Sequence, residues 1–72
     1  MIDIGPIIKQ KLKERKKTIV WLAENLSCSR TNVYKIFNKR SVDTADLLRI
    51  SDILDFDLFE LYSKELKKRK QK

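Results

Sequence analysis

The stretch TIVWLAENLSCSRTNVYKIFN, residues 18–38, decides the fold of this chain of 72 residues. Its apolar residues fall on two separate helical stripes, which are Leu22, Ala23 and Leu26, then Val33, Ile36 and Phe37. Between the stripes stand Ser27, Cys28 and Ser29. Serine forms local hydrogen bonds that compete with a helix. The stretch therefore predicts two short helices joined by a tight turn.

The second of these helices carries the residues that point to a function. Two short helices joined by a three- or four-residue turn form a helix-turn-helix, whose second helix can enter a DNA major groove. Arg30, Thr31, Asn32 and Lys35 occupy the positions that its apolar stripe leaves free. Such side chains read base edges or hold phosphates. Sequence-specific binding of double-stranded DNA is the function that this pattern predicts.

Length and composition indicate one small helical domain. A chain of 72 residues has room for a single small core. It contains one glycine, one proline and 42% hydrophobic residues, a composition typical of a folded helical chain. No run alternates in the way that a half-buried strand would. We therefore predict an all-α fold without a sheet.

Several kinds of chemistry are excluded because the sequence lacks the residue types that they require. The chain has one cysteine, Cys28, and no histidine, which excludes an internal disulfide, zinc coordination and histidine-dependent catalysis. Its only glycine, Gly5, cannot form a glycine-rich phosphate loop. We predict no enzyme activity, metal site, cofactor or small-molecule ligand. No secretory or membrane-spanning run occurs, so we predict a cytoplasmic protein without membrane contact.

The net charge of +7 is distributed unevenly along the chain. Residues 1–42 hold ten basic and three acidic residues, a net charge of +7. Residues 43–63 hold one basic and six acidic residues, giving −5, and residues 64–72 hold six and one, giving +5. A basic half that contains the helix-turn-helix suits a protein that presents one face to a polyanion. The alternative is that these charges only solvate a small domain.

Capping residues and hydrophobic staples set the predicted helix boundaries. The predicted caps are Asp3, Thr18, Ser29, Asp43 and Asp57. The predicted helices run from about Ile4 to Lys16, from Ile19 to Asn25 or Leu26, from the cap at Ser29 to near Asn38, from Thr44 to Leu54 and from Leu58 to Leu66. Asn38 is expected to tolerate a left-handed conformation at its helix end. The domain would thus span residues 1–66, followed by a disordered basic tail at 67–72.

The stretch LAENLSCSRTNVYKIFN, residues 22–38, resembles the helix-turn-helix of the lambda-repressor and Cro-like family, also called the XRE family. DTADLLRISDILDFDLFELY, residues 43–62, resembles the fourth and fifth helices of that family, so the resemblance covers nearly the whole chain. It implies a five-helix, all-α, lambda-repressor-like domain with its helix-turn-helix at helices 2 and 3. It also implies a dimer that binds operator DNA and regulates transcription. Ser27 stands where the family turn usually has glycine, which predicts a serine with positive φ.

The same resemblance assigns roles to individual residues. It places base contacts at Arg30, Thr31 and Lys35. It places phosphate contacts at Asn38, Lys39, Arg40 and Ser41. Thr18, Asn32 and Tyr34 are further predicted phosphate contacts, and Asn32 could instead have a structural role. Tyr34 could instead pack its ring along the first helix, and Thr31 could bond the backbone of its own first turn. Arg30 could pair with a guanine or with a phosphate.

Phe59, Tyr62 and Leu66 form an apolar stripe on the fifth helix, beyond what so small a core needs. The stripe is the predicted interface of a homodimer that forms at least on DNA, and the alternative is packing onto the first helix. The leading function is a dimeric repressor on a near-palindromic operator. One alternative is a toxin-neutralising or other protein-binding module that uses the acidic helices 4 and 5. Another is non-specific binding of RNA or anionic surfaces through the basic tail.

Overall fold

The computed structural model describes residues 2–70, which form five α-helices and no strand. In chain order they are α1 (Ile4–Glu14), α2 (Ile19–Leu26), α3 (Arg30–Phe37), α4 (Thr44–Leu54) and α5 (Phe59–Lys70). The predicted all-α fold with five helices is therefore confirmed. No helix within residues 2–70 is both long enough and apolar enough to cross a membrane.

Four of the five predicted capping side chains accept a hydrogen bond from a backbone amide in the first turn of a helix. The pairs are Thr18 with Trp21 at 3.0 Å, Ser29 with Asn32 at 3.2 Å, Asp43 with Asp46 at 2.7 Å and Asp57 with Phe59 at 3.0 Å. Each bond satisfies an amide that has no partner inside its helix. The starts of α2, α3 and α4 fall at the predicted residues, and α5 starts one residue later.

The predicted cap at Asp3 is wrong. Asp3 precedes α1, but its carboxylate makes no capping bond. The first amides of α1 donate instead to the loop after α3, from Ile4 to the Arg40 carbonyl at 3.1 Å and from Gly5 to the Lys39 carbonyl at 2.9 Å. The start of α1 is thus satisfied by another part of the chain.

The core lies where α1, α2, α3 and α4 meet. Its buried apolar residues are Ile4, Ile8, Leu12, Leu22, Ala23, Leu26, Val33, Phe37, Leu47, Ile50, Leu54 and Leu58. Ile36, which lies on the predicted apolar stripe of α3, is only partly buried, and so is Leu61. Leu48 of α4 is 62% exposed, because Leu47 occupies the core side of that turn and the next residue points about 100° away.

Three predicted helix ends need correction. α1 ends at Glu14, because Lys16 adopts a left-handed conformation with φ of 58°. Asn38 is right-handed, with φ of −95°, so the expected left-handed end of α3 is wrong. α5 continues four residues past Leu66 to Lys70, where basic residues favour the negative end of the helix dipole. The domain boundary and the disorder of the tail remain predictions, and residues 71–72 lie outside the described residues.

Candidate nucleic-acid interface

The turn between α2 and α3 closes on itself through backbone hydrogen bonds. Ser27 has φ of 54° and ψ of 44°, which confirms the positive φ predicted for the position where the family turn usually has glycine. Its amide donates to the Glu24 carbonyl at 3.2 Å, and the Cys28 amide donates to the Ala23 carbonyl at 3.0 Å. These bonds satisfy carbonyls at the end of α2 at the cost of a strained serine.

Arg49 of α4 fixes the same turn from outside. Its guanidinium donates to the carbonyl oxygen of Leu26, the last residue of α2, at 2.9 Å. No role of Arg49 was predicted from the sequence. A signal was present, because Arg49 is the only basic residue in the acidic segment 43–63.

Gly5 lets the start of α1 approach the end of α3. A Cβ atom at Gly5 would lie 2.5 Å from the Ile36 carbonyl oxygen and 2.6 Å from the Phe37 carbonyl carbon, too close for any side chain. The amide bonds from α1 to Lys39 and Arg40 lie in the same contact. α1 therefore holds the end of α3 and the loop that follows it. This role of Gly5 was not predicted.

One side of α3 is buried and the other is free. Val33 and Phe37 are buried in the core, while five other residues of α3 are exposed. The exposed residues include all three predicted base contacts and are Arg30, Thr31, Asn32, Tyr34 and Lys35. Tyr34 is 54% exposed and meets Phe37 edge to face, with ring centroids 6.4 Å apart. This exposure disfavours packing of its ring into the core.

The cations of this surface are available to an anion. Within residues 2–70, Arg30, Lys35 and Lys39 make no ion pair. Arg40 makes one ion pair among the described residues, with its Nε 3.9 Å from a carboxylate oxygen of Asp3. Both side chains of that pair are exposed, and such ion pairs contribute little. Phosphates could therefore bind these cations without breaking strong ion pairs.

A comparison with models of protein families identifies the family of this domain. The model of the Cro/C1-type HTH DNA-binding domain matches residues 8–67. The chain belongs to this family. Its membership confirms the predicted lambda-repressor-like fold and supports DNA binding and transcription regulation. Comparisons with curated proteins and with solved structures give no match. A cytoplasmic location and the lack of catalytic activity remain predictions.

The remaining predicted phosphate contacts of this Cro/C1-type domain lie at several places around α3. Thr18, Asn38 and Ser41 are exposed. The Thr18 hydroxyl oxygen accepts a bond from Trp21, and its O–H stays free to donate. Asn32 lines a groove between α3 and α4. The same groove is lined by Lys35, Lys39, Asp46 and Arg49.

The residues of the predicted dimer interface differ in exposure. Phe59 and Tyr62 are partly buried against the core. Leu66, in contrast, is 54% exposed. α5 contains no fully buried residue, so it lies at the edge of the Cro/C1-type domain. Only the outer part of this stripe is free to meet a second chain.

Proposed function

We propose that this Cro/C1-type domain represses transcription by binding a near-palindromic operator as a twofold dimer, with α3 in the major groove. One observation carries the proposal, the division of α3 into a buried apolar side and a free polar side. Arg30, Thr31 and Lys35 would contact base edges. Phosphates would be held by Thr18, Asn32, Tyr34, Asn38, Lys39, Arg40 and Ser41.

Pairing of two domains follows from the energy that one α3 can supply. Arg30, Thr31 and Lys35 offer about 1–3 kcal/mol of discrimination each. The low end of that range falls short of the roughly 4–10 kcal/mol that separates specific from non-specific binding. Two domains on one duplex double the contribution and require recognition helices about 34 Å apart. Leu66 is the free apolar residue of the surface that would join them.

Selection of bound duplexes from random sequence, followed by stoichiometry on the preferred site, tests the proposal. We expect a site of two related half-sites that takes two chains. Leu66→Glu should weaken binding to this site by disrupting the contact between the two chains. Leu48→Glu, at a similarly exposed leucine on α4, is the matched control and should bind normally. Saturation by one chain on an asymmetric site would contradict the dimer.

One observation favours protein binding as a second candidate function. The exposed Leu48 lies in a groove between α4 and α5 that is also lined by Phe56 and Phe59 and by three carboxylates. The carboxylates belong to Asp52, Asp55 and Asp57. Coexpression with the product of the adjacent gene tests this candidate. A stable complex that Leu48→Glu abolishes would support a toxin-neutralising or similar role, and a complex that survives the substitution would not.

A further inference from the structure

The end of α5 lies beside the loop that follows the recognition helix. Arg40 and Ser41 of that loop, together with Ile2, line one side of a groove. Its other side is lined by Tyr62, Glu65 and Arg69 of α5. Arg69 therefore shares a surface with two residues that are proposed to hold phosphates. The sequence alone placed Arg69 in a disordered tail.

The charges in this groove are held loosely. Arg69 is 66% exposed, and its Nε lies 3.6 Å from a carboxylate oxygen of Glu65. Arg40, 83% exposed, has its Nε 3.9 Å from Asp3. Both arginines are exposed, so these ion pairs contribute little energy, and each guanidinium keeps further N–H donors for another anion. The two arginines can therefore exchange their carboxylates for phosphate oxygens.

Stabilisation of the helix end explains why basic residues occur in the last turn of α5, but not why one of them faces the loop after α3. Basic residues in a last turn interact favourably with the helix dipole wherever they point. The dipole does not determine which basic residue lies on the side of α5 that faces the loop. Lys67 lies about 200° around the helix from Arg69, and therefore nearly on the opposite side. Arg69 differs from Lys67 in that it lines the groove with Arg40 and Ser41.

We propose that Arg69 binds the DNA backbone, so that Arg40, Ser41 and Arg69 form a phosphate site outside the reach of α3 itself. The inference rests on the proposed function, because it is the placement of α3 in the groove that turns the loop towards DNA. Phosphate contacts of this kind fix the register of a protein on DNA without reading its sequence. In the free protein, the Glu65 carboxylate lies 3.6 Å from Nε of Arg69 and competes weakly with phosphate for it.

The salt dependence of binding tests this site. The probes are the selected operator and a random-sequence duplex of about 30 base pairs, or three helical turns. Each phosphate contact adds about 0.9 to the slope of log K against log salt concentration, so Arg69→Gln should flatten that slope by about 0.9 for each chain that is bound. The control Lys67→Gln should leave the slope unchanged. Arg69→Lys should keep it, and Glu65→Gln should tighten binding to both duplexes.

The outcomes separate this inference from the proposed function. Equal slopes for the parent and Arg69→Gln, or equal losses in Arg69→Gln and Lys67→Gln, would overturn the phosphate site even if operator preference is intact. A selection without any preferred sequence would overturn the proposed function. The effect of Arg69→Gln on the random duplex would then still be measurable and would still support the site. Thermal melting of each variant shows that exposed substitutions have left the fold unchanged.

Discussion

The guanidinium of Arg49 donates a 2.9 Å hydrogen bond to the carbonyl oxygen of Leu26, which ends α2. A helix leaves its last carbonyls without internal partners, and its C-terminal end attracts positive charge. Arg49 meets both needs from α4, 23 residues further along the chain. It therefore joins the fourth helix to the turn that sets the direction of α3.

Replacement of Arg49 by methionine should destabilise the fold. Arg49→Met keeps an apolar stem but leaves the Leu26 carbonyl without its charged donor, at a cost of about 1–3 kcal/mol in the free energy of unfolding. Urea denaturation measures the change. The control is Lys64→Met, which removes an exposed ion pair with Glu60 and should change stability by less than about 1 kcal/mol. Equal losses in the two variants would mean that the Arg49 bond has no special weight.

Alanine at Gly5 should be destabilising, although alanine normally stabilises a helix. At an ordinary helix position Gly→Ala gains about 1 kcal/mol. Here the new Cβ would meet the backbone of Ile36 and Phe37, which cannot give way without moving α3. We expect a net loss of about 1–3 kcal/mol, the usual cost of overpacking. Thermal melting shows the sign of the effect, and an increase in melting temperature would contradict the close contact.

Glycine at Ser27 should stabilise the fold. Ser27 is left-handed, a conformation that costs an ordinary residue about 1–2 kcal/mol and glycine very little. Glycine also gives the unfolded chain more freedom, which offsets about 0.4–1 kcal/mol of the gain. Ser27→Gly should therefore raise the free energy of unfolding by about 0.5–1 kcal/mol. Ser27→Ala, which keeps the strain, is the control and should show no such increase.

The helix starts were predictable because the signals that set them are local. Ser29 bonds an amide three residues ahead, and Asp43 does the same at the start of α4. The start of α1 was not predictable in this way, since its first amides bond to Lys39 and Arg40, more than 30 residues away. Nothing near Asp3 in the sequence indicates that its capping role is taken over by a distant loop.

The candidate site shows the same division. The periodicity of apolar residues was enough to predict the free side of α3. Since Val33 faces the core, the residues on the opposite side of the helix must face away from it. The supports of α3 could not be predicted from local patterns. Glycine is needed at residue 5 because the backbone of α3 approaches it closely. Arg49 stabilises the turn before α3 because it bonds a carbonyl of α2. Residues that position a site from a distance become visible only once the fold is known.

Base contacts and phosphate contacts should respond differently to substitution by alanine. Arg30→Ala removes a side chain proposed to read a base edge from the first turn of α3. It should cost about 1–3 kcal/mol for each half-site of the preferred operator and relax selection at one base position in each half-site. Lys39→Ala removes a proposed phosphate contact just after α3. It should weaken binding to all sequences alike and flatten the slope of log K against log salt concentration by about 0.9 for each bound chain.

The comparison between these two variants is informative because both residues are exposed and unpaired within residues 2–70, so neither substitution should disturb the fold. Repeating the selection of duplexes with each variant measures preference at every base position, and titration at several salt concentrations measures the slope. If Arg30 held a phosphate instead, Arg30→Ala would flatten the slope as Lys39→Ala does and leave the selected sequence unchanged. That result would leave Thr31 and Lys35 as the proposed base contacts of α3.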